Sequence, residues 1–189
     1  AARLIDDGQI VFVDAGTTTL AFAEALVDRP HVKVVTNSLG VAQRLGARAV
    51  LLGGEISSDV PATFGELTLA GIERFQTDMA FIAPVAIEPT LGAMNFALHE
   101  AEIARAMIRR SGRIVLLADH SKFGMPSRVS ICRFDEVDLI VTDRAPEALP
   151  ETAKLRLASD VGEPQPGSVA RTRRRQRADP VSLAERDAD

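Results

Sequence analysis

The segment Asp14-Ala15-Gly16-Thr17-Thr18-Thr19 stands between the apolar run Ile10-Val11-Phe12-Val13 and an amphipathic stretch, and its residue types suit an anion. Gly16 lets backbone approach a ligand, and the threonines add hydroxyl donors. A helix starting here offers unpaired amides and the positive end of its dipole. A phosphate group fits this constellation. Taken alone, the segment fits equally well a helix that Thr17 merely caps.

Three more segments carry similar chemistry. Thr36-Asn37-Ser38 places small polar side chains at another helix start, and Gly53-Gly54-Glu55 follows a third apolar run. Asp119-His120-Ser121-Lys122 follows the strongest apolar run and brings an ammonium group, which an anion meets as a point charge. Ligands of open parallel sheets bind beyond the carboxyl ends of the strands. Capping and turn chemistry explain any one of these segments. Four on one rim read as a composite anion site made of Asp14, Gly16, Thr17, Thr18, Thr19, Asn37, Ser38, Gly53, Gly54 and Lys122.

The elements that position them alternate. Apolar runs at residues 10–13, 32–36 and 49–52 read as strands, and residues 18–27 and 38–45 as the helices between them. Residues 65–75 suit a helix, 79–83 a fourth strand, and Pro84, Pro89 and Gly92 mark a long irregular loop. An amphipathic helix follows over 100–110, then a strand over 113–119, two shorter strands at 129–134 and 138–141, and a closing helix over 147–157. Strand and helix alternating through short connections predict an α/β protein, with an open, mostly parallel, Rossmann-like sheet and helices on both faces. One effector-type domain is expected over residues 1–158. The breaker-rich, arginine-rich stretch 159–189 is expected to be a disordered tail, its arginines solvated.

Composition agrees with one buried core: 189 residues, 46% of them hydrophobic and 25% charged. No run reaches the ~18 apolar residues of a membrane span, and the first residues lack an apolar signal core, so a cytoplasmic location without membrane contact is expected. The net charge is -4, and the six acids and six arginines beyond residue 158 cancel, leaving no basic surplus for nucleic acid. Cys132 is alone and reads as a buried thiol. Of the histidines, His31 lies in a turn, His99 precedes a helix, and only His120 is near the rim, where a solvent-facing loop residue is expected rather than a ligand contact; no pair has metal-ligand spacing on a shared helix face.

The same segments resemble a known family, the carboxy-terminal effector domain of DeoR-type bacterial transcriptional repressors. The resemblance runs over residues 6–19, 34–38, 52–54, 78–82, 100–107, 117–124 and 138–143, including Thr36-Asn37-Ser38 and Asp119-His120-Ser121-Lys122-Phe123-Gly124, and covers about residues 1–145. It implies a fold related to ribose-5-phosphate isomerase, glucosamine-6-phosphate deaminase and the CoA transferases, and a phosphorylated sugar or similar metabolite as effector. By that resemblance the phosphate rests on Gly16, Thr17, Thr18 and Thr19. Asn37 and Ser38 take sugar hydroxyls, the Gly53-Gly54 turn lines the pocket, and Lys122 pairs with the anion. It further implies a homo-oligomer that reaches DNA only through an N-terminal winged helix-turn-helix, which is absent from these residues.

The related fold also runs isomerase and CoA-transferase chemistry, so an enzyme is the alternative. Aldose-ketose isomerisation needs a poised base with a second acid or electrophile nearby. Residues 82–92, where isomerases carry their acids, offer only Glu88, and no CoA-transferase glutamate is identifiable. Asp14, Glu55, Glu100 and Asp119 remain as acids, each with a turn, loop or cap role available. A pure interaction module is the third class. The reading carried forward is a sensor, not an enzyme, with no cofactor and no metal.

Overall fold

The computed structural model describes residues 1–57, 59–147, 149–150 and 153–158. Along the chain run β1 (Ile10–Val13), α1 (Thr17–Ala25), β2 (Lys33–Thr36), α2 (Leu39–Leu45), β3 (Ala49–Leu51), β4 (Glu55–Ile56), β5 (Thr63–Phe64) and α3 (Glu66–Glu73). Then come β6 (Thr77–Ile82), β7 (Ala86–Glu88), β8 (Gly92–Asn95), α4 (Leu98–Arg109), β9 (Ser111–Leu117), β10 (Val129–Cys132), β11 (Leu139–Thr142) and β12 (Leu155–Leu157). Seven strands form one sheet in the order β12-β11-β9-β6-β1-β2-β3, and every pairing in it is parallel.

Helices cover both faces, which is why the central strands read as continuous apolar runs rather than alternating ones. Within β1, Val11 and Val13 pack with Phe22, Ala23 and Leu26 of the α1 segment and with Val41 and Leu45 of α2. Phe12, between them, points the other way, into the layer that holds Ile72 of α3 and Ala104 and Met107 of α4. In α4 the buried residues Ala101, Ile103, Ala104, Ala106 and Met107 recur at helical spacing, so one apolar face is committed to the sheet.

The order of the strands decides where a ligand can bind. From β1 the chain steps outward through β2 and β3, returns to β6 on the other side of β1, and steps outward again through β9, β11 and β12. β1 and β6 therefore flank the switch point, and a crevice opens beyond their carboxyl ends because the two crossovers diverge there. Asp14 and Ala83 are the first residues past those ends.

Two expectations from sequence are corrected. The irregular loop over residues 84–92 is part of a second, antiparallel sheet, order β10-β8-β7. Ala86, Ile87, Ala93 and Met94 are buried there, so these short segments possess a core face, and the Glu88 carboxylate closes their turn by accepting from the Thr90 and Leu91 amides. Where a closing helix over 147–157 was expected, Leu155–Leu157 form β12, paired in parallel with β11. Pro150 has no amide to donate inside such a helix, and Leu155-Arg156-Leu157 has the alternation of an edge strand. The expected tail, 159–189, lies outside the described residues. No helix among the described residues is long and apolar enough to cross a membrane.

Candidate functional site

A cavity of about 160 Å³ opens at the switch point. Its floor is the turn after β1. The Asp14 amide donates to the Phe81 carbonyl (3.0 Å), tying the end of β1 to β6, and the Asp14 carboxylate accepts from the Ala15 amide (2.8 Å). Only 5% of Asp14 is exposed. Burial pushes its carboxyl up to about 7, the Ala15 amide opposing the shift and the nearby Glu100 charge adding to it.

Next along the floor, α1 begins at Thr17 with Gly16 as its N-cap, and no side chain caps it. The first helical bond, Leu20 amide to Gly16 carbonyl, is 3.0 Å, so the amides before Leu20 have no acceptor within the helix. Gly16 is in ordinary extended backbone, and what favours glycine there is space: a Cβ would lie 3.2 Å from the Cβ of Ala83. Thr17 and Thr18 line the cavity. Thr19 lies beneath them, fully buried, its hydroxyl donating to the Gly16 carbonyl (3.0 Å).

The second helix start differs. Ser38 Oγ accepts from the Val41 amide (3.3 Å), so α2 carries its own cap, and Ser38 stands behind the cavity wall. Ser38→Ala is expected to cost about 1 kcal/mol of stability, read as a lower urea midpoint with unchanged slope. Its neighbour Asn37 does line the cavity. Asn37 Nδ2 donates to the Thr63 carbonyl (3.2 Å), while its Oδ1 is buried with no hydrogen-bond partner.

Gly53 and Gly54 also stand behind the lining. The Gly53 carbonyl accepts from Thr68 Oγ1 (2.8 Å), which seats α3. Gly54 sits at φ +154, where a Cβ would collide with Thr68 Oγ1 and the Phe64 carbonyl oxygen. The pair thus positions β5, whose Thr63 and Phe64 reach the cavity, rather than reaching it themselves.

Lys122 completes the set, lining the cavity from the short turn His120–Lys122. Asp119 holds that turn by accepting from the Ser121 amide (2.9 Å). The hydroxyl and amide of Ser121, with help from Lys122, keep the Asp119 carboxyl below its ordinary range.

The structure therefore brings Asp14, Gly16, Thr17, Thr18, Asn37 and Lys122 to one cavity, with Thr19, Ser38, Gly53 and Gly54 supporting its walls. His99, Asn95 and Phe64 join them, unassigned by sequence reasoning, as does Glu100, which the sequence offered only as an acid for the enzyme alternative. His99 stacks on the Phe64 ring at 4.9 Å, and Asn95 Oδ1 accepts from the Val85 amide (3.1 Å). For the histidines, the solvent-facing reading of His120 is borne out, and the cavity histidine is one the sequence left unassigned. His120 turns outward, its Nδ1 2.7 Å from Asp143 Oδ2, and His99 is the histidine in the cavity.

Comparison with known proteins adds the following. The family model for the DeoR C terminal sensor domain matches residues 1–144. The chain is 36% identical over 149 residues to the glycerol-3-phosphate regulon repressor of Escherichia coli, covering 77% of this chain and 59% of that one. It is 33% identical over 156 residues to the transcriptional repressor AccR of Agrobacterium fabrum, covering 80% and 60%. The chain thus spans about three fifths of the length of these curated relatives. Among solved structures, ribose 5-phosphate isomerase A of Methanocaldococcus jannaschii aligns at TM-score 0.46 and 18% identity over 65% of this chain and 50% of that one.

Proposed function

This chain belongs to the family of DeoR C-terminal sensor domains, and we propose that it binds a phosphorylated sugar or polyol in the switch-point cavity as the effector of a transcriptional repressor. One observation carries the reading. At this rim α2 is closed by its own serine, α4 starts uncapped but carries the Glu100 carboxylate in its first turn, and α1 starts uncapped with no acid in its first turn, in the cavity that Lys122 also lines, as an incoming phosphate requires. Asn37 lines the same cavity, and its Oδ1, buried without a partner, is left to accept from a ligand hydroxyl once the side chain turns toward it.

The full repressor, in this reading, acts in the cytoplasm as a homo-oligomer, contacts DNA through a separate N-terminal domain, and changes subunit arrangement as effector occupancy changes. A ligand shifts that balance only as far as its affinities for the two arrangements differ, typically by about 1 to 3 kcal/mol. The segment from Pro84 to Leu98 reaches the cavity through Pro84, Val85 and Asn95 and is the proposed transmitter.

Isomerase-type catalysis is the second reading, and the cavity's raised Asp14 beside Glu100 is what favours it. Against it stands Glu88, the acid offered by residues 82–92, which is spent on a turn outside the cavity lining. The experiment is a thermal-shift panel of sugar phosphates matched with their free sugars, each hit then followed for turnover. Stabilisation by the phosphorylated members alone, without product, is the expected outcome. Equal stabilisation by free sugars would remove the phosphate reading, and several product equivalents per chain would decide for the enzyme.

A further inference from the structure

Away from the switch point, on a chain whose net charge is -4, positive charge gathers in one place. A second cavity, of about 280 Å³, is lined by Arg105 and Arg109 of α4, by Ser130 and Cys132 of β10, and by Arg133 and Glu136 at the turn that follows. The two α4 arginines are four residues apart, so they stand one turn above the other on the same face. Arg105 is held in place: one end of its guanidinium donates to the Ser130 carbonyl, and the other pairs with Glu102 at 2.9 Å. The other two are not held. Arg109 stands 3.8 Å from Glu73 and Arg133 3.5 Å from Asp135, too long for good hydrogen bonds, and both arginine side chains are more than half exposed.

The remaining groups of this lining do little to balance three positive charges. Glu136 is the one carboxylate among them, and its Oε2 already accepts from the Arg133 amide (2.9 Å). Cys132 adds no negative charge, because burial pushes its thiol up to about 12, the nearby Glu136 charge adding to the shift. Like charges around one cavity raise each other's energy, and an anion placed among them lowers it.

We infer that this cavity is a second binding site, one for a small multivalent oxyanion, either a polycarboxylate or a phosphorylated compound, taken by the N–H groups of Arg109 and Arg133 beside the fixed Arg105. A guanidinium fork meets two oxygens of a carboxylate or phosphate at once, which an ammonium group does not. The lining comes from a helix, a strand and a turn, as in a niche for a small molecule rather than a flat contact surface. No residue is shared with the lining of the switch-point cavity, so the inference stands apart from the phosphate reading above.

The test uses the full chain carrying Lys122→Ala, which weakens the first cavity for anions, in about 0.15 M sodium chloride. Citrate and pyrophosphate are titrated in separately, and NMR follows the backbone amides of residues 130–136 and the guanidinium N–H groups of the three arginines. At least one probe is expected to shift them along a saturating curve with Kd below about 1 mM. Adding Arg109→Gln and Arg133→Gln should weaken that binding at least about tenfold, while an unchanged urea midpoint shows that the fold is kept. Shifts that never saturate, or that sodium chloride at matched ionic strength reproduces, would mean an adventitious ion only and overturn the inference. Saturating shifts that the two arginine substitutions leave unchanged, or that fall at Thr17 and Thr18 and not at residues 130–136, would overturn it as well.

Discussion

Replacing Lys122 with alanine is expected to weaken binding of a phosphorylated ligand by about 10- to 100-fold, the range that follows from losing one hydrogen bond to a charged group. Among the described residues lining the cavity, Lys122 is the sole lysine or arginine, in a lining that also holds the carboxylates of Asp14 and Glu100. The remaining attraction for a phosphate then comes from amide dipoles at the start of α1, which act over a shorter range than a full charge. Folding should be nearly unaffected, because the turn that carries Lys122 is held by Asp119 and Ser121, not by the ammonium group. Titration calorimetry reads the loss in affinity, and a urea melt checks that stability is retained. The wild-type affinity should also fall with added salt more steeply than that of the variant, since screening acts on the charge that the variant lacks.

The second large effect lies in the pH dependence of stability. Asp14 titrates near 3.8 in an unfolded chain and at about 7 when folded, chiefly because burial disfavours its charged form. Its folded value is raised, so between these limits the folded state holds a proton that the unfolded state has released. Stability contributed by Asp14 is therefore greatest at low pH and is lost as pH rises from about 4 to about 7, by roughly 4 kcal/mol over the whole window. Asp14→Asn keeps an oxygen for the Ala15 amide and carries no charge to desolvate. The variant should flatten the pH profile across that window and exceed the wild type in stability at pH 8. Asp119 and Asp143 shift the other way, held low by hydrogen bonds from Ser121 and His120, so their contribution disappears only in more acidic solution. Urea unfolding at several pH values separates the two windows.

Ligand binding should couple to the same proton. A phosphate dianion beside Asp14 favours the neutral acid, as does the Glu100 carboxylate. The buried acid is thus compatible with an anion site near neutrality, although its charge alone argues against one. This also bears on the enzyme reading, because an acid poised near 7 has the affinity of a general base while being placed where an anion would silence it.

How much of this was legible in the sequence depended on whether the deciding contacts were local. The β1–α1 and β2–α2 units could be read because each buries a run of apolar residues next to polar turn chemistry, and the strand ends then placed Gly16, Thr17, Thr18, Asn37 and Lys122 on one rim. Which of those residues line the cavity and which support it was not legible. Ser38 and Asn37 are adjacent and similarly polar, and only the geometry of α2 turns Ser38 to the Val41 amide while Asn37 lines the cavity with its Oδ1 unpartnered. His99 and Asn95 were missed, and Glu100 was named only as an acid for an enzyme, for a different reason. They enter from β8 and the first turn of α4, and the route of those elements over the strand ends is set by tertiary packing of the small β10-β8-β7 sheet. Its strands are three or four residues long, interrupted by Pro89 and Gly92, too short for periodicity to separate from a loop. The final strand β12 was read as a helix because Glu147, Lys154 and the leucines suit one, and pairing with β11 outweighed that preference.

In the proposed complex a phosphate sits on the uncapped start of α1, in the cavity that Lys122 lines. The most direct measurement is a titration of the isotope-labelled chain with glycerol 3-phosphate and with inorganic phosphate, followed by amide resonances in NMR. The largest shifts are expected at the amides of Thr17 and Thr18, with movement at Lys122 for both ligands, and at the Asn37 side chain for glycerol 3-phosphate alone. Largest shifts at the start of α2 or in the arginine-rich stretch 171–177, with Thr17 and Thr18 unmoved, would contradict it.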